Sequence, residues 1–374
     1  MREARERRDI TRFIDLPYRL HQRDPMWVPP LRRDVAMLLS RARNPFFEHG
    51  DAAYFIAERD GETVGRIAAI DNRLHNEIHG DRVGFFGFFE TTDDQAVADA
   101  LFSAAAEWLR RRDFDTMRGP ASFSVNDECG LLVDGFDSPP ALMMPHNPAY
   151  YVALVERARF AAAKNLLVYQ GGDRRFRDYV PVPERLERAV GLMQKRMGLV
   201  IRPINMKDFK GEVERIKKLY NAAWEKNWGF VPMTEHEIEH LAEQFRPVVV
   251  PDLVPFIEKD GELIAFGLAL PDLNSIFRTN RNGRLLPVLP RLLWALKREK
   301  IRRARIPLLG IMPEWRGKGL DAVLYHWIWT KSRDHGMFWG EAGWILDDNP
   351  AMNAGLVKMG FEVYKTYRLY DRAL

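Results

Sequence analysis

Cysteine is almost missing from this chain. Cys129 is the one thiol in 374 residues. A disulfide framework and a cysteine-built zinc site are therefore excluded, and a cytoplasmic setting is the expectation. Histidine, aspartate and glutamate do not gather at metal-ligand spacing, so no metal is expected. No run of about 18 apolar residues occurs, so no membrane-spanning helix is expected. The segment from Met1 to Arg12 is charged and has no apolar signal core. Low-complexity tracts are missing too. So is the Gly-x-x-x-x-Gly-Lys-Ser/Thr string of kinase-type phosphate loops, and the dinucleotide spacing Gly-x-Gly-x-x-Gly does not follow any strand-like run.

What remains is a chain rich enough for packed cores. Apolar residues make up 46%, which argues against disorder, and the length suits two domains. The net charge is +4 and the pI is near 9.0. That mild basicity suits a phosphate-rich ligand or an anionic membrane surface. It does not by itself imply nucleic acid, and no nucleic-acid motif accompanies it.

The most informative stretch is Gly310-Ile311-Met312-Pro313-Glu314-Trp315-Arg316-Gly317-Lys318-Gly319-Leu320. The apolar run from Ile306 to Ile311 reads as a buried strand. The run from Asp321 to Arg333 has helical apolar spacing. A strand, a glycine turn and a helix together make an anion cradle. Backbone N–H groups converge at the turn, and the helix start adds partial positive charge. Gly317 and Gly319 allow close approach, while Arg316 and Lys318 add charge. Arg316, Gly319 and Asp321 nearly match Arg-x-x-Gly-x-Gly/Ala. In this the stretch resembles the pyrophosphate loop of the GNAT acyltransferases, which bind acyl-coenzyme A. The resemblance implies cofactor contacts at Ile311, Met312, Arg316, Gly317, Lys318, Gly319 and Leu320. Asp321 departs from the pattern, since a carboxylate there would sit near a phosphate.

The flanks follow the same order. Phe338 to Leu346 reads as a strand. Asn349-Pro350-Ala351 opens a helix that stops at Gly360-Phe361, and Val363 to Tyr370 reads as a last strand. In GNAT proteins coenzyme A enters a split between the loop strand and the next one. The following helix starts with Asn, which adds Asn349 to the cofactor contacts.

An internal repeat is also legible. Asp60-Gly61-Glu62 returns as Asp260-Gly261-Glu262, and Asn147-Pro148-Ala149 as Asn349-Pro350-Ala351. Phe160 and Tyr169 match Phe361 and Tyr370, all about 200 residues apart. Each Asp-Gly lies between strand-like runs and reads as a β-hairpin turn. The fold expected is α/β: tandem GNAT-like folds, each a mixed, mostly antiparallel sheet flanked by helices. The expected domains are 1–180, a degenerate GNAT-like unit, and 181–374, which carries the loop. The first unit has Thr91-Thr92-Asp93-Asp94 where the glycines should be. Two aspartates would repel a pyrophosphate. It also holds a long connection from Ser122 to His146.

Two further stretches bear on substrate. Trp224-Glu225-Lys226-Asn227-Trp228-Gly229-Phe230-Val231-Pro232-Met233 would line an acceptor pocket by analogy with GNAT folds, or fill a hinge. Residues 281–305 insert apolar and aromatic residues beside a dense basic cluster. They read either as an ordinary amphipathic helix with a solvated basic end or as a peripheral membrane element at the inner face.

The whole chain resembles the bacterial ceramide synthase-like family of tandem GNAT proteins. The residues that carry this are Asp24-Pro25-Met26-Trp27-Val28-Pro29-Pro30-Leu31, Asn44-Pro45-Phe46-Phe47, Val64-Gly65-Arg66-Ile67 and Gly84-Phe85-Phe86-Gly87-Phe88-Phe89-Glu90. Arg118-Gly119-Pro120, Ser124-Val125-Asn126-Asp127-Glu128-Cys129-Gly130 and Asn227-Trp228-Gly229-Phe230-Val231-Pro232 complete the set. The resemblance implies transfer of a long acyl chain from acyl-CoA to a sphingoid-type amine. Two rivals stand beside it: acetylation of a small soluble amine, and a non-catalytic acyl-CoA or lipid-binding protein.

Aminolysis of a thioester needs both substrates held together, a proton acceptor and an oxyanion donor. A backbone N–H of Gly310, Ile311 or Met312 is the expected donor. Glu341, in an aromatic strand where burial would raise its pKa, is the first candidate base; a solvent-facing or arginine-paired role is the alternative. Many GNAT proteins protonate the thiolate with a Tyr four residues before the Gly-Phe. That position is Leu356 here, leaving Tyr364 or Tyr367 as substitutes. His326 reads as structural. Trp224, Asn227, Trp228 and Phe230 are the acceptor-side candidates, with Asn126 and Glu128 added if the first unit contributes.

Overall fold

A computed structural model describes all residues except 174, 176, 225, 226 and 299. The chain is mixed α/β and forms two compact units. Unit one comprises 1–166, 276–291 and 365–374; unit two comprises 167–275 and 292–364. The units interleave in sequence because two long strands and the helix Leu285–Lys297 each divide between them, the helix giving 285–291 to unit one. The strand Ala161–Gly172 gives 167–172 to unit two, and the strand Glu362–Ala373 gives 365–373 to unit one.

In unit one, strands Gly50–Arg59 and Glu62–Asn72 form an antiparallel hairpin from Gly50↔Asn72 to Arg59↔Glu62. Its turn, Asp60-Gly61, has φ of 51° and 81°. Two positive φ angles define the tight turn whose twist matches paired strands, and Asp-Gly adopts it at low cost. Val83–Thr91 joins antiparallel to Glu62–Asn72 and then pairs parallel with Thr116–Gly119. The last strand completes this sheet antiparallel, Tyr370↔Gly119 to Ala373↔Thr116. The helix Gln95–Arg110 buries Leu101, Phe102, Ala105 and Leu109 against the sheet. Phe89 and Phe102 stack at 4.6 Å in that core.

Unit two repeats the plan. Its hairpin turns at Asp260-Gly261, with φ of 51° and 84°, so the repeated dipeptide performs the same turn twice. Strands Val200–Pro203, Pro255–Lys259, Glu262–Pro271 and Arg303–Ile311 pair antiparallel in that order. Arg303–Ile311 then pairs parallel with Trp339–Leu346. The helix Phe209–Trp224 packs on one face through Leu219 and Phe266, and the helix Leu320–Asp334 on the other through Val323 and Leu324. No helix among the described residues is long and apolar enough to cross a membrane.

Candidate active site

The site is built on one strand that loses a neighbour. Arg303–Ile311 and Trp339–Leu346 pair in parallel from Arg303↔Trp339 to Ile306↔Ala342. Pro307 follows and has no N–H to continue a ladder. Among the described residues the parallel register ends there, while the antiparallel register on the other side continues to Ala265↔Ile311. Met312 N donates to Ile264 O at 3.0 Å. Antiparallel pairs alternate between bonded and non-bonded. Gly310 and Leu308 therefore bond to the hairpin strand, as Met312 does. The N–H groups of Leu309 and Ile311 point the other way, to the edge the parallel partner has left. Of the three expected oxyanion donors, Ile311 is the one turned into the split.

A bulge at the same place controls the side chains. Leu268↔Leu308 is followed by Leu270↔Arg305, so the loop strand carries one extra residue. Ala304 and Ile306 pack toward Tyr325 and Ile328 of the helix Leu320–Asp334. Arg303 and Arg305 fall on the opposite face, which after the bulge carries Leu308, Gly310 and Met312. Gly310 is small for a stated reason: a Cβ there would lie 2.7 Å from Leu219 Cδ2 and 2.9 Å from the Trp224 ring.

The glycine loop closes the strand. Gly317 and Gly319 have φ of 70° and 82°, and Gly319 is the residue before the helix Leu320–Asp334. No side chain caps this helix, and its first backbone bond is Val323 N to Gly319 O at 3.4 Å. The N–H groups of Leu320, Asp321 and Ala322 are the unsatisfied donors of a helix start. Lys318 is exposed, with Nζ 4.5 Å over the Trp315 ring. Arg316 is exposed and donates to Ala223 O at 2.6 Å. The Asp321 carboxylate is turned toward the helix Pro350–Lys358, 3.6 Å from where a Gly355 Cβ would stand. Asn349 caps that helix, accepting from Met352 N at 3.2 Å.

Unit one shows the contrast. Its equivalent helix is capped by Asp94, which accepts from Ala96 N at 2.9 Å and Val97 N at 3.3 Å. A carboxylate of the chain itself stands where an anion would bind. Its strand split is filled as well: Ala121 N donates to Phe86 O at 2.8 Å, and a Cβ on Gly87 would lie 2.1 Å from Ala121 O. Asn126 and Glu128 belong to the tight loop behind this plug, where Ser122 N donates to Glu128 O at 2.9 Å.

Glu341 is fully buried and lies opposite Arg305 in the parallel register. Its Oε1 is 3.3 Å from Arg305 Nε, and its Oε2 accepts the Tyr364 hydroxyl. Arg305, itself buried, also donates to Gly343 O at 3.1 Å. Burial raises the Glu341 pKa above the usual carboxylate range and outweighs Arg305 and Tyr364, which lower it. Tyr364 is half-buried, so it connects this enclosed carboxylate outward. Tyr367 belongs to unit one, where it is fully buried and donates to Pro145 O at 2.9 Å. Leu356 is core.

In the stretch expected to line an acceptor pocket, the Trp224 ring lies 4.6 Å from Tyr220 and covers Gly310. Asn227 N bonds to Trp224 O at 2.8 Å and Phe230 N to Asn227 O at 3.1 Å, which turns the chain after the helix. Phe230 is buried, while Asn227 and Trp228 are half-buried. Glu225 and Lys226 lie outside the described residues.

Sequence reading missed two things. Arg305 is the ion-pair partner of Glu341, and only the register reveals it. Unit one holds a buried polar cluster around Glu90, bonded by His21 Nε2 at 2.7 Å and Tyr151 Oη at 2.7 Å with Arg66 at 3.6 Å. Burial opposes the Glu90 charge, yet His21 and Arg66 hold its pKa below the usual value.

No family model matches this sequence. Bacterial ceramide synthase of Caulobacter vibrioides (strain NA1000 / CB15N) is 38% identical over 377 aligned residues, covering 98% of this chain and 95% of that protein. Protein YghO of Escherichia coli (strain K12) is 36% identical over 373, covering 98% and 93%. A solved tandem GNAT protein from the clavulanic acid biosynthesis pathway superposes with a TM-score of 0.57 at 14% identity, over 99% of this chain and 96% of that one. That last likeness bears on the fold alone. With two repeats of one GNAT plan and a relative this similar over its whole length, the chain belongs to the bacterial ceramide synthase-like family of tandem GNAT acyltransferases.

Proposed function

We propose that this protein transfers a long-chain acyl group from acyl-CoA to the amine of a sphingoid-base-like lipid. The observation that carries the reading is the split beside Ile311, whose N–H faces the vacated edge one short turn before an uncapped, glycine-opened helix start. The name of the Caulobacter relative supports the acceptor class.

In this reading residues 181–374 hold the thioester and residues 1–180 are a degenerate repeat. The pyrophosphate rests on Gly317, Lys318, Gly319 and Leu320, with Arg316 beside it. The carbonyl oxygen accepts from Ile311 N–H. The amine nitrogen attacks the carbonyl carbon, the C–N bond forms, and negative charge gathers on the oxygen, where that N–H is worth most. The C–S bond then breaks and the thiolate leaves. Glu341 stands opposite Arg305, several residues along the strand from Ile311, so the proton lost by nitrogen travels through water in the split to Tyr364 Oη as the tyrosine proton moves to Glu341 Oε2. Burial has already raised the proton affinity of that carboxylate. Trp224, Trp228 and Phe230 supply apolar contact for the acceptor, and Asn227 a polar one.

The reading is tested by supplying palmitoyl-CoA with a long-chain 2-amino alcohol, and acetyl-CoA with a small soluble amine. An amide formed in the first pair supports it. Turnover of the second pair alone replaces it with small-amine acetylation.

A further inference from the structure

Helices on protein surfaces expose their polar face. The helix Leu285–Lys297 does the opposite. Its inner side buries Val288 and Ala295. Its outer side carries Leu286, 81% exposed, with Leu293 and Trp294 at 58% and 56%. At about 100° per residue these three share one outward stripe, with the exposed Pro290 between them. A helix that is apolar on both sides belongs in a core or against lipid.

The charges around the stripe are predominantly positive. From 281 to 298 the sequence has no Asp or Glu. Arg284, Lys297 and Arg298 are exposed at the two ends of the helix, and Glu299 and Lys300 follow in the sequence. Arg281 is used internally, donating to Asp24 O at 2.8 Å and Trp27 O at 3.0 Å, which anchors the segment before the helix. The outward face is thus an apolar stripe bracketed by an excess of cations on an anchored element.

We propose that this helix docks the protein on an anionic bilayer surface. Leu286, Leu293 and Trp294 enter the headgroup–acyl boundary, and the flanking cations meet lipid phosphates. A second copy of the chain fits this face poorly, because cations outnumber acids in the segment and like charges would meet. The proposal is independent of the reaction assigned above and stands on this helix alone.

The test is flotation of the full-length protein with vesicles of pure phosphatidylcholine and of equal parts phosphatidylcholine and phosphatidylglycerol. Binding is expected to the anionic vesicles only and to weaken with salt. The pair Lys297→Glu and Arg298→Glu should lower partitioning about thirty-fold or more. The pair Leu293→Glu and Trp294→Glu should remove it, with an unchanged circular dichroism spectrum. Brominated lipid should quench wild-type fluorescence more than that of Trp294→Phe, a readout that holds even if the charged variants misfold. Absence of flotation, or flotation and quenching indifferent to all these changes, would overturn the proposal. So would a wild-type dimer that these variants make monomeric without any vesicle binding.

Discussion

Arg316 donates from Nη2 to the carbonyl oxygen of Ala223 at 2.6 Å, tying the glycine loop to the last turn of the helix Phe209–Trp224. That carbonyl belongs to the negative end of the helix, so the guanidinium sits where its charge is favoured. One residue therefore links the loop proposed to hold the thioester to the helix proposed to flank the acceptor. Arg316→Ala should lower stability by about 0.5–1.5 kcal/mol and weaken palmitoyl-CoA binding about tenfold, through loss of a charge-assisted contact. Arg316→Lys should recover part of the binding. Calorimetry on the three proteins measures this; equal affinities would remove Arg316 from the phosphate site.

Gly310→Ala tests the closeness of Trp224 to the loop strand. The new methyl would press on Leu219 and on the rigid indole. A cost of about 1–3 kcal/mol is expected from overpacking. Because the indole must move, the acceptor KM should rise more than the acyl-CoA KM. A melt and a pair of saturation curves report both, and a melting temperature equal to wild type would contradict the packing described.

The Glu341–Tyr364 pair makes a pH prediction. Glu341 has its folded pKa raised by burial. The native state therefore keeps a proton that the unfolded chain releases as pH rises above the ordinary carboxylate range. Across that window the group makes stability fall with rising pH. Proton acceptance needs the carboxylate, so kcat/KM should climb as pH passes the raised value. Tyr364→Phe should cut kcat about 100-fold or more with the acyl-CoA KM unchanged. Glu341→Gln should remove the acidic limb of the profile. A limb that survives in Glu341→Gln assigns the base elsewhere.

Asn349→Ala should destabilise the protein by about 1 kcal/mol, the usual worth of a helix cap. Asn349→Asp should restore most of it, since a carboxylate accepts from Met352 N as the amide oxygen does. Thermal melts of the three proteins decide this.

Much of this was legible because local chemistry settles it. Asp-Gly set both hairpin turns, and Gly317 and Gly319 mark the loop because only glycine adopts its positive φ at no strain. Asn349 and Gly360 bound a helix through capping rules. What was not legible depends on pairing between distant segments. Arg305 meets Glu341 only through the parallel register, and the bulge near Pro307 decides which later residues of the loop strand share their face. The division of the strands Ala161–Gly172 and Glu362–Ala373 between units has no local signature, since each runs as one strand through the point where the unit changes. His21, Glu90 and Tyr151 are far apart in sequence, so their cluster in unit one gave no motif.

The most direct measurement is mass spectrometry of the purified protein incubated with palmitoyl-CoA and a long-chain 2-amino alcohol. Amide and free coenzyme A should appear in equal amounts, with both lost together in Tyr364→Phe and slowed in Arg316→Ala. Coenzyme A released without amide, or amide formed as fast by Tyr364→Phe as by wild type, would contradict acyl transfer at the split beside Ile311.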